Sequence, residues 1–95
     1  MADKYYKVTS TGTDETIYSV TPKRICKVKR IVLANEATSD AVVIFKDDTV
    51  EKLGAIVKAS DMKVIDLGEG LEFNKSIKVN TTQQPLHVTI IYEEI

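Results

Sequence analysis

The single histidine and the single cysteine are the first residues to weigh for chemistry in this chain of 95 residues. An imidazole can act as general base and a thiolate as nucleophile, but each needs a partner within reach. His87 stands in "LHVTIIYEE", alternating with Val88 and Ile90, and no Cys or Ser lies at motif spacing from it. That is the pattern of a strand histidine on an exposed or half-buried face. Cys26 stands in "ICKVKRIV", inside an apolar alternation, and reads as a buried, inert thiol. One Cys and one His cannot complete a zinc site. Asp47, Asp48 and Glu51 could offer carboxylates to a Ca²⁺ ion. Calcium loops, however, alternate their oxygen ligands around a Gly-supported turn, and "KDDTVE" does not. "GEG", residues 68–70, lacks the Lys-Ser/Thr pair and the helix of a phosphate loop. The sequence therefore leads us to expect no enzyme, no cofactor and no metal.

The remaining charged candidates are Lys27, Lys29 and Arg30 in "ICKVKRIVLANEA", residues 25–37. They could form a basic stripe for nucleic acid, or the solvated side of a half-buried strand. The chain has 13 basic and 14 acidic residues and a net charge of −1, whereas proteins that bind duplex DNA through its phosphates usually carry a clear basic excess. Alternation decides the rest. Cys26 and Val28 share one face, and continuing by twos would drive Arg30 into the core, which is costly for an unpaired charge. A slip of one residue between Val28 and Ile31 instead puts Ile31 and Leu33 on the Cys26 face. One extra residue in a strand is a β-bulge. Lys27 then points outward, and Lys29 and Arg30 flank a bend at the surface. Asp47, Asp48, Glu51, Asp61, Asp66, Glu69 and Glu72 are enough to offset these cations. No direct nucleic-acid contact is expected.

The elements that would carry these residues are short strands, because β-branched residues dominate and long helical periodicity is missing. "KYYKVT" (4–9) and "TIYSVT" (16–21) are separated by a loop bending at Gly12, and Pro22 closes the second. After residues 25–35 comes "AVVIF" (41–45), apolar on both faces, which suits a strand covered on both sides. "VEKLGAIVKAS" (50–60) has the helical spacing Val50, Leu53, Val57, but Gly54 and the Ile56–Val57 pair weaken a helix. It reads as a loop entering a short strand. "KVIDL" (63–67) and "LEF" (71–73) are separated by "GEG" as a turn, and "SIKVN" (76–80) and "LHVTIIYEE" (86–94) close the chain. About eight strands with turns every eight to twelve residues predict one domain over residues 1–95. Its expected fold is all-β, an antiparallel β-sandwich of jelly-roll type.

The lone cysteine excludes an intrachain disulfide and suits a reducing compartment. "MADKYYKVTS" has no signal-peptide core, and no segment approaches the ~18 apolar residues of a membrane span. Four tyrosines and no tryptophan supply the aromatic anchors for contact. Tyr92 is expected to pack inward with Val88 and Ile90. Tyr5 and Tyr6 are adjacent, so on a strand they face opposite ways, and one of them is free to touch a neighbour. Residues 1–10 are thus a candidate N-terminal arm. Tyr5, Tyr6, Lys27, Lys29 and Arg30 are the candidate protein-contact residues.

The run "IYSVTPKRICKVKRIVLANEATSDAVVIF" resembles the opening of small β-sandwich virion proteins of tailed bacteriophages. Val28, Ile31, Leu33 and Asn35 match their second strand. "GLEFNKSIKVN" is similar to their later strand–turn–strand unit and "HVTIIYEE" to their closing strand. The likeness covers residues 16–94 and rests on apolar spacing and turns. "SVTP" and "NKS" depart from the family pattern. The resemblance implies a structural or accessory protein of the head surface, neck or fibre attachment, assembled in the host bacterial cytoplasm. It would act on other virion proteins as a homo-oligomer, a trimer being the first expectation. The alternative class is a β-sandwich that binds a host glycan or ligand, which the missing tryptophan disfavours.

Overall fold

Alternating apolar residues give each strand one face that must leave water, and two such sheets can cover each other. The computed structural model describes residues 1–95 and contains no helix. Its strands are β1 (Ala2–Val8), β2 (Glu15–Ser19), β3 (Cys26–Asn35), β4 (Ala41–Asp47), β5 (Val50–Val57), β6 (Met62–Phe73), β7 (Ser76–Thr81) and β8 (Leu86–Glu94). They form two four-stranded antiparallel sheets, β1-β8-β3-β6 and β2-β7-β4-β5, so the chain is an antiparallel β-sandwich. The pairs β1–β8, β2–β7, β3–β6 and β4–β5 are those of one long hairpin with its tip between β4 and β5. That hairpin is rolled so that β3 also meets β8 and β4 also meets β7. The layer between the sheets holds Phe45, Phe73, Ile31, Leu33, Ile77, Leu86 and Ile90, all fully buried.

The central strand β3 contains the slip that the sequence requires. Its register against β8 runs Val28↔Tyr92 and then Arg30↔Ile91, so Lys29 is the extra residue. Cys26, Val28, Ile31, Leu33 and Asn35 all face the core, and Arg30 is exposed. Opposite, β6 makes a wider excursion, because Val28 faces Leu71 while Arg30 faces Asp66. The "GEG" segment lies in this excursion. It does not divide two strands, as read from the sequence, since β6 continues through it from Met62 to Phe73. Gly68 and Gly70 take positive φ there (61° and 119°), which favours glycine. A Cβ on Gly70 would also stand 2.9 Å from the Cβ of Lys27.

Two further expectations change. Residues 50–57 are strand throughout, not a loop entering a short strand. Phe45 faces Leu53 and Lys46 faces Glu51, so Lys52 is an extra residue. That bulge, added to simple alternation, produces the three-residue step from Val50 to Leu53 that resembled helical spacing. "AVVIF" is not covered on both sides. Ala41, Val43 and Phe45 are buried, but Val42 is exposed on the outer face.

Four polar side chains fasten the connections between the sheets. Glu15 accepts the Tyr6 O–H at 2.8 Å and the Ser10 O–H at 2.6 Å, tying β2 to β1. Buried Asn35 donates to the carbonyls of Ser39 and Val57 at 3.0 and 3.1 Å and accepts the Ala37 N–H at 2.9 Å. Asp47 accepts three N–H groups of the β6–β7 turn, from Asn74, Lys75 and Ser76, at 2.9, 2.9 and 3.2 Å. Glu94 accepts the Tyr18 O–H and the Thr21 N–H at 2.6 and 2.7 Å. Burial pushes the Asp47 carboxyl up, but the three donors more than offset this and hold it below the usual carboxylate range. The same balance of burial against donors leaves Glu15 lowered.

Leu33→Ala should cost about 2–5 kcal/mol, the range for a buried leucine, and Lys29→Ala well under about 1 kcal/mol; urea melts of both variants check the face assignment. Carboxyls lowered by folding add stability that is fully present above their unfolded values near ~4 and is lost as pH falls through the folded values. Thermal melts should therefore be flat down to about pH 5 and drop below about pH 4. Asp47→Ala, which strands three turn donors, should cost about 1–3 kcal/mol at neutral pH and should soften that acid slope.

Candidate interaction surface

Tyr5 and Tyr6 take opposite faces, as adjacent strand residues must. Tyr6 packs against the core, and hydrogen bonding to Glu15, with burial, raises its phenol above the ordinary value. Tyr5 is 55% exposed on the outer face of the β1-β8-β3-β6 sheet. Its ring stacks on His87 with 5.8 Å between centroids and 19° between planes. The Tyr5 O–H meets His87 Nδ1 at 2.5 Å, and His87 Nε2 meets the Glu36 carboxylate. A neutral imidazole with its proton on Nε2 satisfies both bonds. Hydrogen bonding to His87 holds the Glu36 carboxyl below its usual range. Sequence reading left His87 without partners because these two lie 82 and 51 residues away. Both ring nitrogens are engaged, so the cluster ties β1 and the β3–β4 connection to β8.

The register surrounds this cluster with small and apolar groups. Tyr5, Thr89, Val32 and Val64 form one cross-strand row, and Lys7, His87, Ala34 and Met62 form the next. The three candidate cations lie beyond them and make no stripe. Lys27 sits between the register positions of Glu72 and Glu93. Lys29 donates to the Glu69 carbonyl on the β6 excursion. Arg30 pairs with Asp66 at 3.4 Å, both side chains being at least half exposed. The Gly68 N–H first, and Arg30 second, lower the Asp66 carboxyl. Each cation is beside an acid or a carbonyl, so the group is a solvated, locally balanced surface. Cys26 is buried, and desolvation pushes its thiol up to about 11, far from the thiolate that nucleophilic work needs.

Residues 1–10, read from the sequence as a candidate arm, lie differently here. Ala2–Val8 pairs with β8 over seven residues, and Val8 is fully buried opposite Leu86. The segment is an edge strand of its own sandwich, and only its first residues are free of the core.

The two sides of the sandwich are not alike. On one, β1 and β2 are joined through Tyr6, Ser10 and Glu15. On the other, β5 and β6 are sheet edges as β1 and β2 are, but no side-chain hydrogen bond joins them. A groove of about 680 Å³ runs there, lined by Val42, Ile44, Leu53, Ala55, Ile56 and Ile65 among others, with Glu51 and Lys63 as its charged members. Sequence reasoning missed this surface. Its one signal was "AVVIF", whose second apolar face has no cover within the chain. At one end of the sandwich a smaller depression holds Tyr18 and Tyr92, tilted 4.7 Å apart, beside Glu93 and Glu94.

No family model matches this sequence, and no curated protein is significantly similar to it. The surfaces above must therefore be read on their own physics.

Deleting residues 1–8 should abolish cooperative folding or lower its midpoint strongly, because it removes buried Val8 and one whole strand ladder. Deleting Met1–Asp3 should leave the melt close to that of the intact chain, as measured by circular dichroism.

Proposed function

We propose that the chain is a structural or accessory module of a tailed-phage virion, at the head surface, neck or fibre attachment, that works by protein–protein contact as a homo-oligomer. The observation that carries this reading is the open groove between β5 and β6, lined by Val42, Ile44, Leu53, Ala55, Ile56 and Ile65. Soluble monomers rarely leave a large contiguous apolar surface open, and unpaired strand edges invite another chain. The candidate chemical groups point the same way, since His87 and Asp47 each hold a connection and Cys26 packs in the core. The likeness of residues 16–94 to small virion sandwiches supplies the biological setting. A jelly-roll type of sandwich agrees with the rolled hairpin of strand pairs. Assembly in a reducing bacterial cytoplasm suits a lone buried thiol.

A second reading, a glycan- or host-ligand-binding module, has one observation in its favour. The Tyr18–Tyr92 pair beside Glu93 and Glu94 offers aromatic faces and acceptors at one exposed end. A glycan array probed with the purified chain addresses it directly.

Mass spectrometry of phage particles purified from a culture carrying the gene tests the main reading. The chain should be present at many copies per particle and should stay bound through a density gradient. If it is abundant in the lysate and absent from banded particles, the virion assignment is wrong.

A further inference from the structure

We infer that the open β5–β6 side is a two-fold interface whose occupant is a second copy of this chain. Two of the large apolar residues left exposed, Val42 (44%) and Ile56 (57%), line the groove on this side together with Ile44. Between them the half-buried Leu53, Ala55 and Ile65 pack against the core but are not closed over. Both bordering strands have one row of backbone donors and acceptors without a partner strand.

Charge selects the occupant. The groove has two charged linings, Glu51 from β5 and Lys63 from β6. Neither makes an ion pair within its own chain, although four Lys/Arg–Asp pairs form elsewhere. In a two-fold contact the same patch serves both partners, so residue i meets j and j meets i. Glu51 of each copy can then face Lys63 of the other, giving two reciprocal pairs around an apolar centre. A patch with one charge of each sign is complementary to itself, whereas an acidic or basic partner would leave one of the two opposed by a like charge.

Size agrees as well. β6 runs beside β3 from Cys26 to Ala34, a length of about 30 Å at ~3.3 Å per residue, most of the long dimension of a molecule of 40 × 24 × 18 Å. A side of that length and one sandwich thickness is comparable with the ~800 Å² that each partner gives a standard interface. A trimer, the first expectation from the family resemblance, would need two different patches that fit each other. The β1–β2 side also carries free strand edges, but Glu15 ties its strands through Tyr6 and Ser10 and no apolar groove opens between them.

This inference deepens the contact-module reading and rests on it only in taking the chain to act through a protein surface. Sedimentation equilibrium of the intact chain tests it. The expected mass is twice 10.6 kDa. Glu51→Lys and Lys63→Glu alone should each weaken pairing by about tenfold or more, since each places two like-charge contacts across the axis. The double exchange should restore pairing. All three sites are exposed in the monomer, so circular dichroism should be unchanged. Ile56→Lys should abolish pairing without unfolding the chain. A monomer at all concentrations, a trimer, or a dimer insensitive to both single exchanges would overturn the inference. A monomer that still enters particles would do so while leaving the virion assignment standing.

Discussion

One residue too many in the central strand governs the rest of the molecule. β3 is hydrogen-bonded on both sides, to β8 and to β6, so its facing pattern is imposed on two neighbours. Without the bulge at Lys29, either Cys26 and Val28 or Ile31 and Leu33 would point at water, because strand side chains alternate strictly. With it, all four lie in the core, and Asn35 reaches the far end of the same face to bind the carbonyls that close the β3–β4 and β5 ends. β6 accommodates the slip by swelling outward over Leu67–Gly70. The glycines there are thus a consequence of a choice made in β3, and Gly70 lies against Lys27 because the two irregularities face each other.

The parts of the fold legible in the sequence were those set by local alternation. The β3 slip follows from the cost of burying Arg30. The limits of β8 follow from an unbroken alternation between a proline-containing loop and the acidic end. The fate of "GEG" was not legible, because positive-φ glycines signal a turn equally well inside a bulged strand. The helix-like spacing of Val50, Leu53 and Val57 misled for a related reason, since one inserted residue turns a period of two into a step of three. The site was less legible still. Tyr5, Glu36 and His87 meet only because β1, β8 and the β3–β4 connection converge, and no local pattern encodes that. Apolar content on both faces of "AVVIF" was visible, but whether the outer cover comes from this chain or another is decided by topology alone.

The sandwich joins its sheets with carboxylates and one amide more than with long hydrophobic connections. Glu15, Asn35, Asp47 and Glu94 each reach across a connection to backbone or tyrosine donors or to carbonyls, and no buried side-chain polar atom is left without a partner. Backbone groups in tight connections must be satisfied somewhere, and a side chain anchored in a strand does this without lengthening the loop. Such fastening is uneven, because Glu15 joins β1 to β2 directly, whereas on the opposite flank Asn35 reaches the Val57 end of β5 and no side-chain hydrogen bond joins β5 to β6. The contrast between the β1–β2 and β5–β6 sides therefore has a chemical origin in where Glu15 lies.

The antiparallel pairing of β1 with β8 sets Ala2 beside Tyr92. The two chain ends therefore leave the sandwich at the same pole, while the β4–β5 hairpin tip and the β6–β7 turn are set by other connections. A polypeptide fused to either terminus would emerge beside the Tyr18–Tyr92 end, so a tether attached at the amino end and one attached at the carboxyl end would hold the domain in nearly the same orientation. Cutting the chain within an exposed turn and joining its old ends by a short linker would preserve every strand pair, which makes the domain suited to circular permutation.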